Sequence, residues 1–110
     1  MLGAFEELVL LALVRLKDEA YAVPIRQDLT KRTGTEVAMG AVYATLDRLE
    51  DKGMVRPQES VPEKGRLGRP RRYLEICPLG IDALARTHSV RRRMWQGIDL
   101  ADLKAESDPA

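Results

Sequence analysis

Cysteine and histidine occur once each in the 110 residues, as Cys77 and His88. A zinc site needs three or four thiolates, imidazoles or carboxylates at set spacings, and one Cys with one His cannot supply its usual ligands. A lone thiol suits a reducing compartment and a packing role better than redox chemistry. Covalent catalysis lacks its parts as well, because nucleophile, base and orienting group must be held together, and scattered carboxylates around one Cys and one His form no such set. Long hydrophobic runs are also missing. The longest, Leu8 to Val14, stops at Arg15, far short of the roughly 20 residues of a membrane-spanning helix. Glu6 and Glu7 stand where a secretory leader is basic. These absences predict a chain without enzymatic activity, bound metal or cofactor, and without a membrane span, residing in the cytoplasm.

Neither sign of charge dominates. Lys and Arg number 18 against 17 Asp and Glu, a net charge of +1, so the distribution of charge is more informative than its sum. Lys64, Arg66, Arg69, Arg71 and Arg72 fall within nine residues with no acid among them, whereas Asp99, Asp102, Glu106 and Asp108 face only Lys104 near the C-terminal end. The two signs are segregated.

Apolar residues make up 45% of the chain and charged residues 32%, enough of both for a buried core and a solvated surface. A chain of this length suits one core. Phe5, Leu8, Val9, Ala12 and Leu16 repeat at helical spacing from residue 4 to about 17, and Leu11 and Leu13 widen the apolar face beyond one stripe. Such a helix is covered on more than one side, which in a small domain points to a second copy of the chain. Ile25 and Leu29 indicate a short second helix ending at Gly34, with Pro24 in its first turn. Val42, Leu46 and Leu49 form the inward face of a third helix from Met39 to Lys52, with Gly53 as its stop.

The period then changes. Met54 to Ser60 and Arg71 to Cys77 read as short strands separated by Pro62, Gly65, Gly68 and Pro70, a hairpin with a long basic tip. In its second strand Arg72, Leu74 and Ile76 alternate with Arg71, Tyr73 and Glu75. Pro78 opens a fourth helix in which Ile81, Leu84, Ala85 and His88 share a face that Trp95 rejoins, and Gly97 is a point of interruption. The expected fold is mainly α with a small β-hairpin: a winged helix-turn-helix made of a three-helix bundle, a two-stranded wing and a C-terminal dimerisation helix. The expected layout is a winged helix over 1–77, a dimerisation region over 78–104 and a disordered tail over 105–110.

In this order of elements the third helix enters a major groove and the hairpin lies on the flanking backbone. With Val42 and Leu46 inward, Gly40, Ala41, Tyr43, Ala44 and Arg48 lie on or beside the outward face. Small residues there let the helix backbone approach base edges; Arg48 is placed for a guanine or a phosphate, and Tyr43 for a phosphate or a thymine methyl. Asp47, Glu50 and Asp51 repel phosphates, so only the N-terminal half of the helix is expected to insert. Lys64, Arg66, Arg69 and Arg71 of the hairpin are expected on phosphates. The plainer alternative for the hairpin is a flexible basic loop in which Arg71 and Arg72 pair with Glu59 or Glu63. Tyr21 and Tyr73 are expected to pack around the bundle with their hydroxyls at its edge. A homodimer is expected through Phe5, Leu8, Val9 and Ala12 of the first helix and Leu84, His88, Met94 and Trp95 of the fourth, where Met94 and Trp95 also suit a flat ligand.

The segments AYAVPI at 20–25, GAVYATLDRLEDKGMV at 40–55 and GRPRRYLEICPLG at 68–80 together resemble regulators of the PadR family, over about Phe5 to Leu84. The resemblance implies a cytoplasmic homodimer that binds double-stranded DNA, usually as a repressor of nearby genes. It further implies a C-terminal helix packed on the partner's N-terminal helix and, in some members, a small hydrophobic effector at that interface. Ala38 and Cys77 depart from the family's habit of Ser or Asn, and of Thr, at these helix starts, each forgoing a side-chain cap of about 1 kcal/mol. A winged helix serving only protein contacts is the competing reading; it leaves the five clustered cations without a purpose.

Overall fold

The computed structural model describes residues 1–58 and 71–107. Helix α1 spans Ala4–Leu16. Its first turn is tied by Glu6, whose Oε1 accepts the Gly3 N–H at 3.1 Å and so satisfies a backbone donor that the helix leaves open. A 3-10 turn over Lys17–Glu19 leads to α2, Ala22–Thr33, with Pro24 in its first turn, where a missing N–H costs nothing. Helix α3, Met39–Asp51, follows after Val37, whose N–H donates to Thr30 Oγ1 at 3.2 Å. Gly53, at φ +74°, turns the chain out of α3 in a backbone conformation that costs glycine nothing.

Two antiparallel strands follow, β1 at Val55–Pro57 and β2 at Leu74–Ile76, in the register Val55 to Ile76 and Pro57 to Leu74. They are shorter than the expected Met54–Ser60 and Arg71–Cys77. Pro57 has no N–H for the ladder, which among the described residues continues through the Gln58 N–H on the Tyr73 carbonyl at 3.0 Å. On its other edge β2 is anchored to the bundle by the Leu74 N–H, which donates to the Ala20 carbonyl at 2.8 Å. The hairpin base therefore sits against the bundle rather than beside it.

The core is one cluster. Val9, Leu10, Ala12 and Leu13 of α1 meet Ile25 and Leu29 of α2, Val42, Leu46 and Leu49 of α3, and Val55 and Leu74 of the strands. Val9 and Ala12 are 0% and 2% exposed. Their assignment to a dimer interface is thereby corrected: they lie on the side of α1 that the chain's own α2 and α3 cover, and they touch no outside surface.

Helix α4 runs Pro78–Trp95. Its start packs on the hairpin base at Gly80, where a Cβ would come within 2.5 Å of the Met54 carbonyl oxygen and 2.7 Å of Ile76 Cγ1. Thr87 is buried and accepts the Leu2 N–H at 3.2 Å, joining α4 to the N-terminal end of the chain. The first half of α4 thus shares the core, and the sequence boundary at 77/78 does not divide the packing. From Arg91 to Ser107 every residue is exposed.

Helix α4 ends at Trp95, Gly97 takes φ +78°, and a new helix α5 forms at Leu100–Ser107. The interruption expected at Gly97 is therefore a break between two helices. The disorder expected from residue 105 is corrected for 105–107. Asp99 Oδ1 caps the helix start by accepting the Ala101 N–H at 2.9 Å, and Ser107 Oγ donates to the Leu103 carbonyl at 3.0 Å.

Candidate nucleic-acid interface

The outward side of α3 is divided. Gly40, Tyr43 and Ala44 are exposed, and Tyr43 keeps 52% of its accessible surface. A Cβ on Gly40 would meet nothing within 4 Å, so the chain's own packing does not require glycine there. Ala41 lies on the flank toward α1, lining an apolar hollow with Phe5, Leu8 and Val37.

Arg48 lies on that same flank. Its Nη2 donates to Thr45 Oγ1 at 3.0 Å and its Nε is 3.9 Å from Glu6 Oε2. The guanidinium is drawn along the helix toward Glu6 on α1, yet 55% of the Arg48 side chain stays exposed, so the residue expected at DNA keeps its access to solvent. Glu6 is the centre of this cluster. Lys52 Nζ donates to its Oε2 at 2.8 Å, and this bond, followed by the Gly3 N–H, holds the carboxyl below its ordinary pKa against the opposing effect of burial.

The residues leading into β2 also bind inward. Arg72 Nη1 donates to Asp47 Oδ1 at 3.0 Å, and its Nη2 pairs with Glu50 Oε2. Arg71 stacks over Tyr21, with its guanidinium carbon 4.8 Å from the ring centroid. Tyr73 approaches the same Tyr21 ring at 5.0 Å between centroids, tilted by 58°. The Tyr73 hydroxyl, 3.5 Å from Arg71 Nη1, raises the pKa of a guanidinium that is protonated in any case. The packing role expected for both tyrosines agrees with this geometry, whereas the phosphate role expected for Arg71 meets a side chain already committed to an aromatic face. Lys64, Arg66 and Arg69 lie outside the described residues, as do Glu59 and Glu63, the partners considered for Arg71 and Arg72.

Sequence spacing missed Glu6 and Arg72 as organisers of this surface. Glu6 meets Lys52 across 46 positions and Arg72 meets Asp47 across 25; no local period carries such pairs. The only trace was the charge conflict itself, three acids on a helix expected to face phosphate.

A second exposed surface is apolar. Leu8, Leu11 and Val14 of α1 lie open, and so do Met94, Trp95, Ile98, Leu100 and Leu103 at the far end of α4 and in α5. Phe5 and Leu84 are half-buried against the core, and His88 is exposed. Among the described residues no group of three or more His, Cys, Asp or Glu is placed to hold a metal, and no helix is long and apolar enough to cross a membrane.

The sequence profile of the transcriptional regulator PadR-like family matches residues 10–86, from α1 to the buried part of α4. The chain belongs to the PadR-like family. This PadR-like chain is accordingly a DNA-binding transcriptional regulator and not an enzyme. Its winged helix-turn-helix fold is shared with solved structures. RosR of H. salinarum, grown from NaBr, aligns with a TM-score of 0.64 at 23% identity over 96% of this chain and 88% of that one. A complex structure of hsRosR-S4 gives 0.65 at 23% identity over 96% and 84%. A PadR family transcription regulator from hypervirulent Clostridium difficile R20291 gives 0.59 at 22% identity over 94% and 97%. No curated protein matches the chain.

Proposed function

We propose that this PadR-like regulator represses transcription in the cytoplasm by binding operator DNA as a homodimer. The N-terminal half of α3 enters the major groove and the basic hairpin tip rests on flanking phosphates. The observation that carries the reading is the smooth outward patch of Gly40, Tyr43 and Ala44, where Gly40 faces open space and no packing partner among the described residues explains its lack of a side chain. A helix is read in the groove through the few side chains that reach base edges, and a small residue beside them lets its backbone come close.

The dimer is supported by the second surface. Trp95 and Met94 keep 54% and 71% of their accessible surface, at the end of a helix that nothing among the described residues covers. The exposed Leu8, Leu11 and Val14 stripe on α1 is apolar surface of the same kind, and joining the two in a second copy removes both from water at a gain of about 25 cal/mol per Å². A small hydrophobic effector suits the same interface, stacked on Trp95.

Two measurements test the reading. DNA fragments recovered with the purified protein and sequenced should share a two-fold symmetric site; fragments without a common sequence would refute sequence-specific regulation. Sedimentation should give a dimer at micromolar concentration, weakened by Trp95→Ala, and a monomer would refute the dimer.

A further inference from the structure

We infer that Asp47, oriented and charge-compensated by Arg72, reads a cytosine in each half-site of the operator. The inference rests on the groove placement of α3 proposed above and extends the inserted part of the helix by about half a turn beyond its N-terminal half, to Asp47, whose repulsion of phosphate Arg72 offsets. Gly40, Ala44 and Asp47 follow one another at i, i+4 and i+7, so they share one outward stripe of the helix. The first two have no side-chain donor or acceptor. Asp47 is the first residue along the stripe that does, and 63% of its side chain is exposed.

An uncompensated carboxylate in that position is a liability beside phosphates. Here one guanidinium lies between two carboxylates a turn apart, with Arg72 Nη1 on Asp47 Oδ1 at 3.0 Å and Nη2 on Glu50 Oε2. Arg72 comes from the segment entering β2, and β2 is tied to the bundle through the Leu74 N–H on the Ala20 carbonyl. The backbone position from which the guanidinium reaches these carboxylates is thus set by the fold. Exposed ion pairs contribute little stability, so the consequence of this one lies in orientation and charge: it lowers the repulsion of phosphate and restricts the Asp47 rotamer. Among the described residues only Oδ1 of Asp47 is hydrogen-bonded, which leaves Oδ2 as a directed acceptor.

The chemistry of the groove then selects the base. Cytosine itself presents only a donor, its N4 amino group, at the major-groove edge, whereas adenine carries the N7 acceptor next to its own N6 donor and repels a carboxylate. Guanine and thymine present acceptors at that depth. Arg72 is a positioning residue in this scheme, and Asp47 is the one that touches the base.

The test is enrichment of random-sequence duplexes by the full-length protein, followed by sequencing, for the wild type, Asp47→Ala, Asp47→Asn and Arg72→Ala. Asp47 is exposed, so its variants should melt as the wild type does. The wild type should discriminate for C·G at one position of each half-site by about 5-fold, the lower end of the range for a bidentate pair, because one oxygen makes the contact. Asp47→Ala should lose that preference alone, without losing affinity for random duplex. Asp47→Asn should move it toward adenine, whose N6 and N7 suit a side-chain amide. Arg72→Ala should blunt the preference at the same position and weaken all duplexes together, and removing Asp47 as well should restore the affinity without the preference. If Asp47→Ala selects the wild-type site unchanged, Asp47 does not read a base, while the groove placement of α3 stands. If the wild type itself enriches no sequence, the groove placement fails, and this inference fails with it.

Discussion

Lys52 Nζ lies 2.8 Å from Glu6 Oε2, so the C-terminal end of α3 is fastened to the first turn of α1 by a largely buried carboxylate. The same Glu6 accepts from Gly3 and attracts Arg48, which makes it the point where α3 is set against the rest of the bundle.

This pair predicts an acid-sensitive fold. Glu6 has a folded-state pKa below its ordinary value of 4.5, chiefly because of the Lys52 hydrogen bond and then the Gly3 N–H. A carboxyl depressed on folding contributes stability above its unfolded pKa, and the contribution is lost as pH falls through the lower, folded value. Glu6→Gln should therefore cost about 1 kcal/mol at pH 7, discounted because Lys52 is half-exposed. Below the folded pKa of Glu6 that deficit should largely vanish. Urea denaturation over a pH series descending from 7 follows the deficit, and a deficit that does not shrink as acid unfolds the protein would count against the ion pair.

Gly80→Ala should destabilise the protein by about 1 to 3 kcal/mol, the usual cost of forcing atoms into a packed contact. The obstacle is the Met54 carbonyl oxygen at 2.5 Å, a backbone atom that moves only with β1. Helix propensity alone argues the opposite sign, since Ala exceeds Gly by about 1 kcal/mol in a helix interior. A thermal melt decides between them.

Gly40→Ala should separate folding from binding. The added methyl meets nothing among the described residues, so stability should hold or rise by about 0.5 to 1 kcal/mol. Operator affinity should fall roughly tenfold if a base edge or phosphate occupies that space. Unchanged affinity alongside an unchanged melt would place the DNA elsewhere.

The hairpin tip should supply affinity without sequence preference, because phosphates look alike and base edges do not. If two of Lys64, Arg66 and Arg69 touch phosphate in each subunit of a dimer, the tips contribute four contacts, or about −3.6 to the slope of log K against log salt at roughly −0.9 per contact. Changing all three to Ala should flatten the salt dependence by that amount and weaken specific and random duplexes alike. An unaltered slope would remove the tip from the interface.

The helices and their ends were legible because they are written in short-range patterns: Val42, Leu46 and Leu49 at helical spacing, Pro78 at a helix start, Gly53 and Gly97 at breaks. The empty caps at Ala38 and Cys77 were legible too, and neither side chain makes a cap hydrogen bond. Val9 and Ala12 were misplaced because periodicity shows which residues are apolar but not which neighbour covers them. In α1 both sides are apolar, and only the positions of α2 and α3 decide which side is core.

The sequence by itself thus determined the element order, the separation of basic hairpin from acidic C-terminal end, and the family, since each depends on residue types at short or fixed spacing. Tertiary structure alone decided where the charges go. Arg48 turns toward Glu6, Arg72 bridges Asp47 and Glu50, and Arg71 lies on Tyr21. The physical reason is that a long cationic side chain reaches several partners from one backbone position, and Coulomb attraction depends on distance in space rather than along the chain. Which carboxylate or ring lies within reach is set only when α1, α3 and β2 have packed together.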